Sequence, residues 1–318
     1  MAKQEYDDYL KFIEEGLQLA QQLPRYFSTF SKKKYDNQQK TVLLVFKQKL
    51  KTTFRGIVSW LRINPLVCQL LGLSSIPVHT TLVRFAARVE KIMLRMLGIR
   101  QARIAAVDAT GFELESKSFY FRKRQDSERL WKTRRYLKLS IAVDTQKQLI
   151  LTCKIRKKLR HDTIDFKQLL EDLEIDYVVA DKGYDSWKNR RFVINKLHAI
   201  PVIPVRRHTH FYGYLRGCKK IDGSNYHQRS KVETIFSVIK RKYGSVIRAR
   251  SFATQKVEVM SKLIAYNIDR TVNYLLVFIR GSHQSPLEKP FYSSFRASFQ
   301  QRCLCLVQVK QVLNTLSL

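Results

Sequence analysis

Residues 104–108 read Ile-Ala-Ala-Val-Asp, an apolar run closed by a carboxylate. Residues 177–181 repeat the pattern as Tyr-Val-Val-Ala-Asp. Short continuous apolar runs of this kind predict strands buried on both faces. Between them, Leu137–Val143 and Leu149–Ile155 are two more β-rich segments, and Asp144-Thr-Gln-Lys-Gln joins them as a hairpin. Thr163–Leu173 has the spacing of an amphipathic helix, Arg190–Leu197 is helical and Ile200–Pro204 is a strand. Two helices follow, over 229–243 and 255–279.

The order is therefore strand, hairpin pair, helix, strand, helix, strand, helices. Three antiparallel strands followed by α/β alternation predict an α/β ribonuclease-H-like domain, a five-stranded mixed sheet with flanking helices, over residues 101–280. Residues 1–100 read as an all-α domain. Val42, Val45, Phe46 and Leu50 share one helical face, and a stripe from Leu82 to Leu97 predicts a long helix starting near His79. The short helix Leu66–Leu71, the break Gly72–Pro77 and the next helix, with Thr80, Thr81, Arg84 and Arg88 facing outward, make a candidate helix-turn-helix near 66–97. An ordinary helical pair in a bundle explains the same pattern equally well. Residues 281–318 form a C-terminal tail rich in Ser, Gln and Phe, with no structure assigned from sequence.

Lysine and arginine number 59 against 26 aspartates and glutamates, a net charge of +33 over 318 residues. The excess is +10 over residues 1–100, +20 over 101–280 and +3 beyond, so it coats a folded body and is not parked in a tail. Such a chain seeks a polyanion. A hydrophobic fraction of 45% excludes a disordered polycation. No apolar run approaches the length of a membrane span, and Met1–Glu15 is too acidic for a secretory leader. The five cysteines contain no Cys-x-x-Cys pair, which disfavours zinc and leaves reduced thiols in a soluble cytoplasmic protein. Lys117–Lys138 holds nine basic residues, among them Arg122, Lys123 and Arg124, interleaved with aromatics that include Trp131. That mixture suits a phosphate backbone and its bases, or a solvated hairpin.

Three carboxylates stand out within this positive field. Asp108 lies on the first core strand, Asp181 ends the fourth and Glu233 sits on a following helix. Singly, each Asp reads as a turn or cap residue and the Glu as a solvated charge. Together they change meaning, because the first and fourth strands are neighbours in this fold and the helix closes over them. Three converging carboxylates need a cation. All-oxygen ligation suits Mg²⁺ or Mn²⁺, and a two-ion site is the economical device for cutting a phosphodiester. Tyr226, Arg229, Glu233 and Lys240 are spaced Y-x2-R-x3-E-x6-K, which puts Arg229, Glu233 and Lys240 on one helical face.

This signature, with Val107-Asp108-Ala-Thr-Gly111 and Ala180-Asp181-Lys-Gly-Tyr-Asp185, resembles the DDE transposases of prokaryotic insertion sequences, in the branch typified by insertion sequences four and five. The similarity runs over about residues 60–280. It includes the Pro77–Arg88 segment, Arg160-His-Asp162 and Ala265-Tyr-Asn-Ile268. The resemblance implies that Asp108, Asp181 and Glu233 bind two metal ions. It implies that Tyr226, Arg229 and Lys240 contact double-stranded transposon-end DNA, and that a homodimer or higher oligomer holds two ends. Asp181 and Glu233 are 52 positions apart, which leaves room only for the basic stretch Arg206–Lys220 and not for a large inserted domain. Ala109 stands where the family often has Ser or Gly, and the tail after Gly281 has no counterpart in the pattern. The resemblance implies end cleavage followed by strand transfer into target DNA. A catalytically dead DNA-binding remnant and a metal nuclease without strand transfer are the competing readings.

Overall fold

The computed structural model describes residues 3–115, 136–157, 161, 163–205 and 223–281. Residues 1–273 make one compact unit; of the second, Tyr274–Leu318, only the end of the last helix is described. The chain opens with helices α1 (Lys3–Ala20), α2 (Asn37–Lys49), α3 (Phe54–Arg62), α4 (Pro65–Leu70), α5 (His79–Ala86) and α6 (Glu90–Met93). Strands β1 (Gln101–Leu114), β2 (Tyr136–Asp144) and β3 (Leu149–Arg156) follow, then α7 (Thr163–Leu170), β4 (Glu174–Ala180), α8 (Trp187–Asn195) and β5 (Ile200–Val202). The last elements are α9 (Gly223–His227), α10 (Ser230–Tyr243), the two-residue β6 (Val246–Ile247) and α11 (Phe252–Gly281).

The sheet order is β3-β2-β1-β4-β5, with β6 beside the end of β1. β1, β2 and β3 are antiparallel, whereas β4 and β5 join parallel. This is the mixed ribonuclease-H-like sheet that the element order predicts. Asp144 closes the hairpin by accepting from the amides of Gln146 and Lys147, and Gln148 completes it at φ 54°. One face of the sheet packs Ala105, Val107, Ala142, Val178 and Ala180 against Phe166, Leu169 and Leu170 of α7 and Phe192 and Val193 of α8. The opposite face receives α10 through Val232, Ile235, Phe236 and Ile239.

The stripe from Leu82 to Leu97 stays buried, but it is not one helix. The amides of Arg88 and Val89 both turn back to the Phe85 carbonyl, and the chain restarts as α6 and a 3₁₀ turn that stops at Gly98, φ 33°. The bend lets Val89, Met93, Met96 and Leu97 all reach the core. The β6 pairing with Glu113 and Leu114 is also absent from the sequence reading, since two residues carry no periodicity.

Two buried polar nodes tie the helices to one another and α11 to the turn before β6. Asp269 on α11 receives Lys49 of α2 and Lys242 of α10, each at 2.5 Å, together with the Tyr243 hydroxyl. Burial, then the Asp269 charge, pushes the Tyr243 hydroxyl far above its ordinary range. Lys262 donates to the carbonyls of Gly244 (2.8 Å) and Val246 (2.9 Å), which locks the turn between α10 and β6. Burial, with Lys47 and Arg248 adding and Glu258 opposing, pulls this ammonium down to about 8.

Asp269→Ala leaves Lys49 and Lys242 without their shared anion, and should lower unfolding stability by roughly 3 kcal/mol in urea denaturation. The Lys262 shift sets a pH dependence. Below pH 8 both folded and unfolded chains are protonated there, and burial of the charge is a constant cost. Between about 8 and 10.5 the unfolded chain holds the proton longer, so folding stability rises with pH. Relative to Lys262→Met, the wild type should gain roughly 2–3 kcal/mol between pH 7 and pH 10. The neutral amine keeps two N–H groups for the two carbonyls, so the turn survives the titration.

Candidate active site

The site begins with strand register. β1 and β4 run parallel with Ala106 beside Val179 and Val107 beside Ala180. The next residue on each strand is Asp108 and Asp181. Asp181 therefore emerges just past the carboxyl end of β4, the usual position for ligands in open α/β sheets, and Asp108 stands at the same level midway along β1. Asp181 starts the 3₁₀ turn Lys182–Tyr184, yet its side chain makes no capping bond. The cap explanation for this carboxylate thus fails.

Asp108 accepts the Ala109 amide at 2.8 Å through Oδ1, and its Oδ2 lies 3.9 Å from Arg229 Nη1. Arg229 also holds Glu233 Oε1 at 2.8 Å through Nη2. One guanidinium therefore bridges two of the three carboxylates. Burial pushes the Asp108 carboxyl above its ordinary range; the Ala109 amide and Arg229 oppose this, and Glu233 and Asp181 add to it by repulsion. Burial works against the Arg229 charge, but Glu233, Tyr226, Asp108 and Asp181 together hold its proton more tightly than usual. Asp108, Asp181, Tyr226, Arg229 and Glu233 thus share one electrostatic neighbourhood.

α10 delivers these groups because its apolar stripe is sheet-bound. Val232, Ile235, Phe236 and Ile239 are buried, which turns Glu233 outward, 56% exposed at its side chain. Lys240 reaches back to β1, where Nζ donates to Thr110 Oγ1 at 2.7 Å and lies 5.6 Å from the Phe112 ring centre. Asp108, Thr110 and Phe112 alternate along one face of β1, so Lys240 stands further along the same face. Arg84 on α5 and Arg88 just past its end are exposed, and among the described residues no ion pair ties them to the carboxylates. Arg122, Lys123, Arg124 and Trp131, the stretch 206–220 and Asp162 lie outside the described residues.

Among the described residues no three acidic, histidine or cysteine side chains lie together in a group that could hold a metal ion. Glu233 is instead paired to Arg229. The donor set still fits a hard divalent cation: it is all carboxylate oxygen, half-buried at Asp108, and mutually repulsive apart from one arginine.

Several supporting residues were not legible in the sequence. Asp185 and Arg190 form a buried pair at 2.8 Å, and Arg190 Nη2 also donates to the Ile203 carbonyl at 2.6 Å. Asn189 donates to the Tyr184 carbonyl at 3.0 Å. These bonds stiffen the segment that leaves Asp181. The only sequence signal for them is the five-residue spacing of Asp185 and Arg190, which many solvated pairs share. Asn267 exchanges two bonds with the backbone of Ile150, 2.9 Å to its amide and 2.8 Å to its carbonyl. That side chain caps the outer edge of β3, where the pairing with β2 slips by one residue.

Comparison with curated proteins yields no match. A solved structure, a piggyBac transposase synaptic complex with hairpin DNA, aligns with a TM-score of 0.49 and 10% identity over 94% of this chain and 79% of that one. The profile of the family described as Transposase DDE domain matches residues 99–268. That span runs from the entry of β1 to just past Asn267, more than half of the chain, and contains Asp108, Asp181 and Glu233. The chain belongs to the DDE transposase family.

Proposed function

We propose that this protein binds double-stranded DNA at the ends of a prokaryotic insertion sequence, hydrolyses the strand there, and joins the freed 3′-OH to target DNA. The supporting observation is the grouping of Asp108, midway along β1, Asp181, at the carboxyl end of β4, and Glu233 around Arg229. Asp108, Asp181 and Glu233 are the residues to hold two Mg²⁺ or Mn²⁺ ions. Such ions, when bound, activate the attacking oxygen and neutralise the leaving oxygen of a phosphodiester. Arg229 pairs with carboxylates in the free protein and grips a strand phosphate in the complex, a bidentate task suited to guanidinium. That exchange frees Glu233 for ligation. Lys240, steadied by Thr110, supplies a second fixed positive charge. Tyr226 packs beside the same phosphate. The helices of residues 1–100, with Arg84 and Arg88, and the basic segment around Arg122, Lys123, Arg124 and Trp131 hold the flanking duplex. A homodimer or larger assembly on nucleoid DNA brings two ends together.

Cleavage of end-containing DNA with Mn²⁺ tests this reading. Asp181→Ala should lose at least a thousandfold in rate while still binding the DNA, since one ligand of a metal-dependent site is gone. Equal cutting by wild type and variant would exclude the site. Joined products alongside nicks separate strand transfer from plain nuclease activity. In a DNA-free check, Mn²⁺ should raise the Tm of the wild type and leave Asp108→Asn and Asp181→Asn nearly unmoved. Binding should also weaken by about 10³–10⁵ between 50 and 200 mM salt if six to ten phosphates are neutralised.

A further inference from the structure

Phe30 is 96% exposed, the most exposed large hydrophobic side chain among the described residues. It is not on a loose end. Ser28 and Ser31 close a turn around Thr29 and Phe30: the Ser31 amide donates to the Ser28 carbonyl (3.2 Å), and the Ser28 amide donates to Ser31 Oγ (3.1 Å). Lys32, Lys33 and Lys34 follow directly, all exposed. The base of the loop is pinned to α2, where the Asn37 amide meets the Arg25 carbonyl at 2.7 Å and Asn37 Nδ2 meets the Pro24 carbonyl at 3.1 Å.

The same loop is fastened to the α4–α5 region at two points, and α2 beside it at a third. Phe27 packs on Phe85 of α5 with ring centres 5.9 Å apart. The Tyr35 hydroxyl meets Ser75 Oγ at 2.9 Å. Gln39 Nε2 donates to the carbonyls of Leu71 (3.0 Å) and Gly72 (2.8 Å). Loop, turn and α5 are therefore one body, which carries Arg25, Lys32, Lys33, Lys34, Arg84 and Arg88 on exposed positions. A preformed turn that offers a bare aromatic ring beside three consecutive cations matches a ligand with regularly spaced anions and flat apolar faces. A second copy of this chain is a poor partner, because its own lysines would repel these.

We propose that the 24–36 loop and α5 form one DNA-contact surface, in which Lys32, Lys33 and Lys34 engage phosphates and the Phe30 ring packs on the face of a base. The inference rests on the reading of this protein as DNA-binding and adds a contact outside the catalytic domain. Aromatic packing on bases, either at an opened step of a duplex or on an unpaired base, tolerates any sequence.

The test uses the full chain with a Phe30→Trp variant, titrated with a fully paired duplex and with the same duplex bearing a single-stranded overhang. Emission should fall on DNA addition beyond the change shown by the three native tryptophans in wild type. Quenching by the paired duplex assigns an opened base step, and quenching only by the overhang assigns an unpaired base. Phe30→Ala should bind about tenfold more weakly. Replacing Lys32, Lys33 and Lys34 by Ala together should flatten the salt slope by up to about 2.7. Unquenched emission on both DNAs, with Phe30→Ala binding like wild type, overturns the surface while leaving the DNA reading intact. Quenching that grows with protein concentration in the absence of DNA assigns the ring to self-association and also overturns it. A wild type that binds neither DNA overturns the DNA reading and this surface together.

Discussion

The parallel register of β1 against β4 is the constraint from which the candidate site follows. Val107 lies beside Ala180, so β4 ends on a carboxylate at the level where β1 carries another in mid-strand. A slip of one residue would send Asp108 into the layer now filled by Val107 and α7, where a charge has no partner. The buried faces of Ala105, Val107, Val178 and Ala180 oppose that slip, because each would exchange an apolar contact for a polar one. Hydrophobic packing on one side of the sheet thus fixes the chemistry on the other.

Charge compensation is the second theme. The carboxylates stand in a chain with a large positive excess, yet they are not simply neutralised by the nearest lysine. Arg229 bridges Asp108 and Glu233, and it is the residue that leads into the helix carrying Glu233. Helical spacing makes the Arg229–Glu233 pair, and the packing of α10 on β1 adds Asp108 to it. The outer supports are of a different kind. The Asp185–Arg190 pair and the Asn267 clamp on Ile150 hold the segment after Asp181 and the β3 edge.

Much of this architecture was legible because strands β1 to β4 are buried on one or both faces and carry dense apolar runs. The hairpin was legible through Asp144 and the polar turn behind it. The break after Ala86 was not, since Leu82, Phe85, Val89 and Met93 keep helical spacing across a bend. β6 was invisible because its pairing with Glu113 and Leu114 depends on where α10 ends. Lys262 reads as a surface lysine on a helix, yet it is 1% exposed and serves two carbonyls. The Asp269 node escapes for the same reason: its partners, Lys49 and Lys242, are far away along the chain.

The sequence by itself determined the order of elements, the positive field, and which three carboxylates and four signature residues to examine. Those features are local, set by apolar period, residue chemistry and spacing within one element. Tertiary structure alone decided that Arg229 pairs with both Asp108 and Glu233, that Lys240 rests on Thr110, and that Asp181 leaves its turn uncapped. It also decided that Phe30 stands bare on a fastened loop rather than in the core. These are distances between elements, and they exist only once burial of the sheet faces has fixed how helices and strands meet.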